Sequence, residues 1–227
     1  MHKLPTSNLG QSPSGAGILS STLAHESISA RTACSNAFDR AHTCASNSSA
    51  SAAHLLVRAK EIPMRRVGNF TLFFGAEDAF SNWHPCRFSY HDVDFVSVEQ
   101  FMMFSKAKLF GDEDIAQAVL ATHLPKEQKA LGRKVKGFDL ETWKAKRESI
   151  VYVGCREKFA QHPGLRTLLL ATAPTELVEA SPYDTIWGVG LGEHHPDITD
   201  KSKWRGQNLL GKALMKVRDT LSTRSLS

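Results

Sequence analysis

The sequence predicts a helix-dominated α+β domain, and three observations support this fold class. Short segments in which apolar and polar residues alternate, such as Phe70, Leu72 and Phe74 with their neighbours, predict a few short strands. Longer segments carry apolar residues at helical spacing and predict that helices dominate. The order of the segments shows no β-α-β alternation and no internal repeat, which favours the α+β class over an alternating α/β class.

The strands are predicted near the beginning and near the end of the folded part. Residues 70–74 alternate as one strand, and the loop after it is stopped by Pro85. Residues 88–90 and 93–96 predict a β-hairpin. Residues 175–180 predict a further strand that leads into the C-terminal segment.

Six helices are predicted between and after these strands. Ser97 is a suitable N-cap for the first helix, and Pro125 suits the first turn of the third. The last helix is indicated by apolar residues at helical spacing between Leu210 and Leu221. In chain order, the predicted helices cover residues 98–110, 112–122, 125–133, 140–160, 164–172 and the segment from 210 onward.

Residues 1–62 differ in composition from the rest of the chain. They are rich in small and polar residues and contain few large apolar ones, so they cannot bury enough surface to offset the entropy of ordering. We therefore predict a disordered Ser/Ala-rich extension over residues 1–62 and one folded domain over residues 63–227. We expect a cytoplasmic protein. An organelle transit peptide is an alternative, as is a spurious extension upstream of Met64.

The composition is that of a globular protein, with 41% hydrophobic and 22% charged residues. The formal net charge of +5 is spread along the chain, which permits a phosphate-bearing ligand but does not by itself indicate a nucleic-acid-binding module. The four cysteines show no Cys-x-x-Cys pair and no metal-ligand spacing, as is typical of a reduced intracellular protein. No apolar run approaches the ~18 residues of a membrane span, so we expect no membrane partner.

The segment 181–211 is the most informative part of the chain. It concentrates two tryptophans, an arginine, an asparagine and five glycines after Asp184. Glycine allows a ligand to approach the backbone, tryptophan offers a flat face to a base or sugar, and arginine offers a planar fork to phosphate. Gly206, Gln207 and Asn208 stand just before the last predicted helix, so we expect their backbone N–H groups to form an anion site. The alternative is a structural turn whose aromatic side chains pack against the fold.

A second candidate site is the start of the helix that follows Ser97. Glu99 and Lys106 are seven residues apart, so they share one helix face with Met103 between them. A carboxylate in the first turn is also favoured by the helix dipole. The alternative is therefore that Glu99 supports the cap and that Lys106 is a solvated surface residue.

Together these segments resemble the NADAR family, the YbiA-like N-glycosidases. The residues that carry the resemblance follow the family's order: Phe73-Phe74-Gly75, Phe80-Ser81-Asn82-Trp83, Ser97-Val98-Glu99-Gln100-Phe101-Met102-Met103, Ala130-Leu131-Gly132-Arg133, Trp143, Leu168-Leu169-Leu170-Ala171-Thr172, and Asp184 through Gly211. The family commonly has Tyr-Phe-Gln after the glutamate, where this chain has Phe101-Met102-Met103. The resemblance covers residues 70–222 and implies a single YbiA-like domain.

The resemblance implies hydrolysis of an N-glycosidic bond to a ribose, without a cofactor. Family members are linked to two substrate classes, ADP-ribose attached to guanine in nucleic acid and the phosphoribosylamino-pyrimidine intermediates of riboflavin synthesis. Mild basicity and the loop 191–203 favour the larger substrate, with nucleic acid as its carrier. A third hypothesis is a non-catalytic ADP-ribose or NAD reader, which would use Trp187 and Arg205 but would not need Glu99. The sequence does not indicate an oligomeric state.

The resemblance places Glu99, Lys106 and Asp184 in the reaction. Cleavage of the bond between C1′ and nitrogen builds positive charge on the sugar, so a carboxylate such as Glu99 stabilises it or activates water. Asp184, or a water that it holds, is the candidate proton donor to the departing nitrogen. Lys106 either positions a phosphate or hydroxyl or forms a Schiff base with the opened sugar. The expected substrate-binding residues are Asn82, Trp83, Gly132, Arg133, Trp143, Trp187, Gly188, Arg205, Gly206 and Asn208.

Several of these features also have ordinary structural explanations. Trp143 fits a core tryptophan, and Gly132-Arg133 fits a helix C-cap followed by a surface arginine. His194-His195 lies in a polar insertion with no third ligand at useful spacing, so we expect no metal. No dinucleotide-binding fingerprint is present, and the chemistry requires no redox cofactor.

Overall fold

The computed structural model describes residues 65–223, which form six α-helices, a short 3-10 helix and five strands. The strands are β1 (Arg65–Val67), β2 (Phe70–Phe73), β3 (Phe88–Tyr90), β4 (Val93–Phe95) and β5 (Glu176–Glu179). The helices are α1 (Val98–Leu109), α2 (Glu113–Ala121), α3 (Pro125–Gly132), α4 (Leu140–Gln161), α5 (Pro163–Leu170) and α6 (Leu209–Thr223). The helix-dominated α+β class is therefore confirmed. The extension predicted over residues 1–62 lies outside the described residues.

The helix starts follow the capping signals of the sequence. The Oγ of Ser97 accepts a hydrogen bond from the backbone N–H of Gln100 at 3.1 Å, as expected of the N-cap of α1. Asp112 and Asp139 cap α2 and α4 in the same way, and Pro125 opens α3. Each cap supplies an acceptor to an N–H group that has no partner inside its own helix. Within the described range, no helix is long and apolar enough to cross a lipid bilayer.

The strand pairing places the ends of two distant strands side by side. β1, which was not predicted from the sequence, pairs with β2 in antiparallel fashion, and β2 pairs in parallel with β5. Parallel strands need a crossover connection, and here it contains the five helices α1 to α5. Phe73 and Glu179 are register partners at the carboxyl ends of β2 and β5. The loops that leave these two strands therefore start next to each other.

The largest of three hydrophobic clusters in residues 65–223 joins the helices to this sheet. The ring centroids of Phe80 and Phe159 lie 6.1 Å apart, and those of Phe95 and Phe101 lie 5.1 Å apart. Leu210 of α6 is fully buried in the same cluster. α1 packs against α2, α3 and α4, so its position relative to the loops after β2 and β5 is fixed.

Candidate active site

A cavity of about 650 Å³ opens where the loops after β2 and β5 meet α1, α3 and the start of α4. This volume lies within the range of small-molecule and cofactor sites. Nine of the candidate residues named from the sequence line it: Asn82, Trp83, Glu99, Lys106, Gly132, Arg133, Trp143, Asp184 and Trp187. The structure therefore brings together residues that are more than a hundred positions apart in the chain.

Glu99 lies in the first turn of α1 and is 3% exposed. Its Oε1 is buried and has no hydrogen-bond partner within residues 65–223. Burial raises the pKa of Glu99 to about 7, although Lys129 and a hydrogen bond from the Trp83 side chain act in the opposite direction. The carboxyl group can therefore gain or lose a proton near neutral pH.

A second carboxyl group, that of Glu179, faces the same cavity from the end of β5. Its Oε2 is buried, and the described part of the chain offers it no hydrogen-bond partner. Burial, together with repulsion from Asp184 and Glu99, raises the pKa of Glu179 to about 8. Glu179 was not predicted as a site residue, because it reads as part of an ordinary strand until the parallel pairing with β2 is known.

Asp184 lies in a more polar environment than the two glutamates. Its Oδ1 accepts hydrogen bonds from the backbone N–H groups of Ile186 and Trp187 at 2.9 and 2.8 Å. Its Oδ2 lies 3.7 Å from the Nζ of Lys129, which also lies 5.9 Å from the ring centroid of Trp83. Lys129 was not predicted as a site residue from the sequence. It supplies positive charge to a cavity that contains three carboxyl groups.

Lys106 lines the cavity on the same helix as Glu99, as the sequence spacing predicts. Its Nζ donates a hydrogen bond to the carbonyl oxygen of Gly132 at 2.7 Å. The same atom lies 4.2 Å from the ring centroid of Phe138 and 5.6 Å from that of Trp143. Burial lowers the pKa of Lys106, and no carboxylate among the described residues forms an ion pair with it.

A buried lysine donates a hydrogen bond to the backbone of the loop that carries Asn82 and Trp83. Lys158 of α4 is 1% exposed, and its Nζ donates a hydrogen bond to the carbonyl oxygen of Ser81 at 3.0 Å. The Oγ of Ser81 accepts from the backbone N–H of Trp83 at 3.1 Å. Burial lowers the pKa of Lys158 to about 8. These contacts fix one wall of the cavity.

Gly132 and Arg133 lie at the edge of the cavity. A Cβ atom on Gly132 would stand 2.0 Å from the Sδ of Met103, so the glycine allows α3 to pack closely on α1. Arg133 is the exposed C-cap residue of α3. Gly132 is therefore the last residue of α3 rather than its C-cap, Arg133 takes the C-cap position, and both residues also border the cavity.

Four residues expected to bind substrate do not line the cavity: Gly188, Arg205, Gly206 and Asn208. The backbone N–H groups of Gln207 and Asn208, which were expected to form an anion site with that of Gly206, have partners within the fold. The backbone N–H groups of residues 207–210 donate to the carbonyl oxygens of residues 185–188 over distances of 3.0 to 3.2 Å. These donors are therefore already used within the fold. The side chain of Arg205 is exposed, away from the cavity.

The segment before α6 is instead a structural turn that supports β5. Asn208 is fully buried, and its side chain accepts from the N–H of Glu179 at 3.1 Å and donates to the carbonyl of Leu177 at 2.9 Å. A Cβ atom on Gly206 would stand 2.3 Å from the carbonyl oxygen of Gly188, so no side chain fits there. The segment therefore acts on the site indirectly, through the backbone of Glu179.

The polar insertion that contains His194 and His195 lies apart from the cavity. The guanidinium group of Arg65 lies 2.6 Å from the Nδ1 of His194 and also contacts the carbonyl of Glu193. In the described part of the chain, no group of three or more His, Cys, Asp or Glu residues is arranged to hold a metal ion.

Comparison with known proteins identifies the family. The model of the NADAR domain matches residues 72–222 of this chain. The chain belongs to the NADAR family. It is similar to Protein irg-1 of Caenorhabditis elegans, with 39% identity over 175 residues that span 70% of this chain and 82% of that protein. It is also similar to an N-glycosidase of Acanthamoeba polyphaga mimivirus, with 41% identity over 145 residues that span 62% of this chain and 85% of that protein.

Bacterial NADAR relatives extend the comparison to a solved structure. N-glycosidase YbiA of Shigella flexneri is 32% identical over 166 residues that span 73% of this chain and 97% of that protein. The NMR structure of the Escherichia coli protein YbiA matches with a TM-score of 0.60 and 28% identity, covering 75% of this chain and 95% of that one. The YbiA-like fold expected from the sequence is confirmed. The NADAR match includes every residue that lines the cavity.

Proposed function

We propose that this NADAR protein hydrolyses the N-glycosidic bond that attaches ADP-ribose to guanine in nucleic acid. The protein is a hydrolase acting on N-glycosyl compounds. Its YbiA and mimivirus relatives are both named N-glycosidases. The observation that carries the proposal is the pair of carboxyl groups, Glu99 and Glu179, that face one aromatic-walled cavity, each with a buried oxygen that has no hydrogen-bond partner among residues 65–223.

Glu99 suits a position beside C1′ of the ribose. Positive charge develops on the sugar as the C1′–N bond breaks, and a carboxylate in a water-poor site stabilises that charge more strongly than it would in bulk water. The Oε1 of Glu99 has no hydrogen-bond partner within residues 65–223, so it is available to the sugar or to an attacking water. A pKa of about 7 gives the ionised form a substantial share at neutral pH.

The walls of the cavity combine flat aromatic surface with positive charge. Indole rings stack on bases and sugars, and basic side chains bind phosphate. The cavity is lined by three tryptophans and three basic residues: Trp83, Trp143, Trp187, Lys106, Lys129 and Arg133. This combination supports ADP-ribose, which carries two phosphates and an adenine, over a ligand with a single phosphate.

A non-catalytic ADP-ribose or NAD reader fits this cavity less well. Glu99 and Glu179 each present a buried oxygen that has no hydrogen-bond partner in the described part of the chain. Placing such carboxyl groups beside an anionic ligand weakens binding unless they contribute something else. Roles in breaking the glycosidic bond account for both carboxyl groups in the cavity.

The test compares two substrates on the full-length protein. A DNA strand that carries ADP-ribosylated guanine and, separately, a phosphoribosylamino-pyrimidine are incubated with it, and the released ADP-ribose and ribose 5-phosphate are measured. We expect release of ADP-ribose, which Glu99→Gln should reduce by about 100-fold or more. Glu148→Gln, which changes an exposed residue of α4 outside the cavity, is the matched control. Release of ribose 5-phosphate alone would assign the pyrimidine substrate instead, and release from neither would contradict the proposal.

A further inference from the structure

The backbone of Glu179 is held by hydrogen bonds, but the Oε2 atom of its side chain makes none within the described part of the chain. Its backbone N–H donates to the Oδ1 of Asn208 at 3.1 Å, and its carbonyl oxygen accepts from the N–H of Val189 at 3.0 Å. The side chain lines the cavity, and Oε2 is buried without a partner among residues 65–223. Burying a polar atom in this way destabilises a fold. The carboxyl group is therefore a candidate for contact with a ligand.

Asp184, the residue first considered as proton donor to the departing nitrogen, is poorly arranged for that step. Its Oδ1 accepts two backbone N–H groups, those of Ile186 and Trp187, and its Oδ2 faces the ammonium group of Lys129. All three neighbours donate hydrogen bonds or carry positive charge. A carboxylate can accept from all of them, whereas a carboxylic acid has a proton of its own to donate and fewer free acceptor positions. Asp184 is therefore better suited to hold the turn and to orient Lys129.

We infer that Glu179 is a catalytic residue that donates a proton to the departing nitrogen, an inference that rests on the proposed N-glycosidase function. As the C1′–N bond breaks, its electron pair stays on the nitrogen, and the proton of the Glu179 carboxyl group moves to that nitrogen. Water adds to C1′, and the proton that the water loses passes to the carboxylate of Glu99. Both side chains return to their starting states by proton exchange with solvent.

The charged groups around Glu179 favour this division of roles. Burial raises its pKa most, Asp184 and Glu99 raise it further, and Lys129 of α3 lowers it, with a result of about 8. On the side of α4, the buried thiol of Cys155 lies close to Glu179, and the Glu179 carboxyl group raises the pKa of that thiol. The pKa of Glu99 is about 7. Lys129 and Arg133 favour the ionised form of Glu99, whereas two neighbouring carboxyl groups favour the protonated form of Glu179, and these opposite influences suit one base and one acid.

Glu179→Gln tests the inference, because glutamine keeps the shape and the hydrogen-bonding reach but has no acidic proton. With ADP-ribosylated guanine DNA as the probe, we expect turnover at neutral pH to fall by about 100-fold or more. Affinity for free ADP-ribose should change much less. The wild-type rate should decline on the alkaline side as Glu179 loses its proton, and this decline should disappear in the variant.

The control and a second variant make the outcome decisive. Glu176→Gln alters the other end of β5, where the side chain pairs with Lys201 outside the cavity, and it should keep the wild-type rate and pH profile. Glu179→Asp retains an acid, so it should keep the alkaline decline at a reduced rate. It decides the matter if Glu179→Gln does not fold.

Three results would overturn the inference. The first is near wild-type turnover of Glu179→Gln with an unchanged alkaline decline, which would leave the proposed function intact. The second is an active Glu179→Asp protein without that decline. The third is a wild-type protein that releases product from neither N-glycosyl substrate, which would contradict the proposed function itself and this inference with it.

Discussion

The backbone N–H of Glu99 donates a hydrogen bond to the carbonyl oxygen of Asn82 at 2.9 Å. An N–H group in the first turn of a helix has no partner within that helix, and here the loop after β2 supplies one. The bond fixes the Glu99 carboxyl group relative to Trp83 in the next position of the loop. The geometry of the candidate site therefore depends on backbone contacts as well as on side chains.

Replacing Glu99 with glutamine should affect the chemical step more than binding. Glutamine keeps the shape but removes the negative charge that balances the cationic sugar. We expect a loss of about 100-fold or more in single-turnover rate, with the affinity for ADP-ribose changed much less. Rapid-quench kinetics and calorimetry measure the two effects separately. If Glu99→Gln were as fast as the wild type, the role given to Glu99 would be wrong.

The two glutamates that face the cavity, Glu99 and Glu179, should make stability depend on pH. The pKa values of Glu99 and Glu179 rise from 4.5 to about 7 and about 8. The folded state therefore holds these protons to higher pH than the unfolded state does. The stability that this difference in proton binding contributes is fully present below about pH 4.5, and it is lost as the pH rises through the folded pKa values.

Glu99→Gln tests this pH dependence, because it removes one of the two ionisations. The free energy of unfolding should fall less between about pH 5 and about pH 8 than in the wild type, by on the order of 1–3 kcal/mol. Urea unfolding at both pH values measures the difference. An identical fall in the variant and the wild type would show that burial does not perturb Glu99.

Gly206→Ala should lower stability without weakening ligand binding. The new Cβ atom would stand 2.3 Å from the carbonyl oxygen of Gly188 and 2.8 Å from the Cα of Thr185, and both are backbone atoms. We expect a loss of roughly 1–3 kcal/mol from overpacking, seen as a lower thermal midpoint. Gly192→Ala is the matched control, because its Cβ atom would meet nothing within 4 Å. Weakened ADP-ribose binding at an unchanged midpoint would restore the anion-site hypothesis.

Lys106→Ala should reduce turnover, and borohydride should separate the two roles considered for the lysine. Burial lowers the pKa of its amine, which increases the fraction of neutral, nucleophilic amine. A covalent adduct with the opened sugar that borohydride traps in the wild type but not in Lys106→Ala would support the Schiff base. Mass spectrometry of the trapped protein locates the adduct. Absence of any adduct in an active wild-type protein would instead support positioning of a phosphate or hydroxyl.

Local signals were sufficient to predict α1 and the residues on its inner face. The cap at Ser97 and the spacing of Glu99 and Lys106 depend only on neighbours within two helical turns. Glu179 could not be predicted in this way, because its position depends on the strand with which β5 pairs. That partner, β2, is separated from β5 by five helices, and no local pattern records the pairing.

The role of the residues before α6 was difficult to predict for a different physical reason. Small residues with amide side chains are typical both of a phosphate-binding turn and of a tight structural turn. The two cases differ in where the backbone N–H groups point. In this protein the N–H groups of residues 207–210 donate to the carbonyls of residues 185–188. Only the folded path of the segment reveals this.

The parallel pairing of β2 with β5 also determines when the cavity can form during synthesis. The ribosome makes β2, Glu99 and Lys106 before α2 to α5, and it makes β5 only afterwards. Asn208, which holds the backbone of Glu179, emerges later still. A nascent chain halted before β5 therefore already carries the helix with Glu99 but lacks Glu179, Asp184 and Trp187, and so has no completed cavity. The order of translation thus delays any reaction until almost the whole domain has been made.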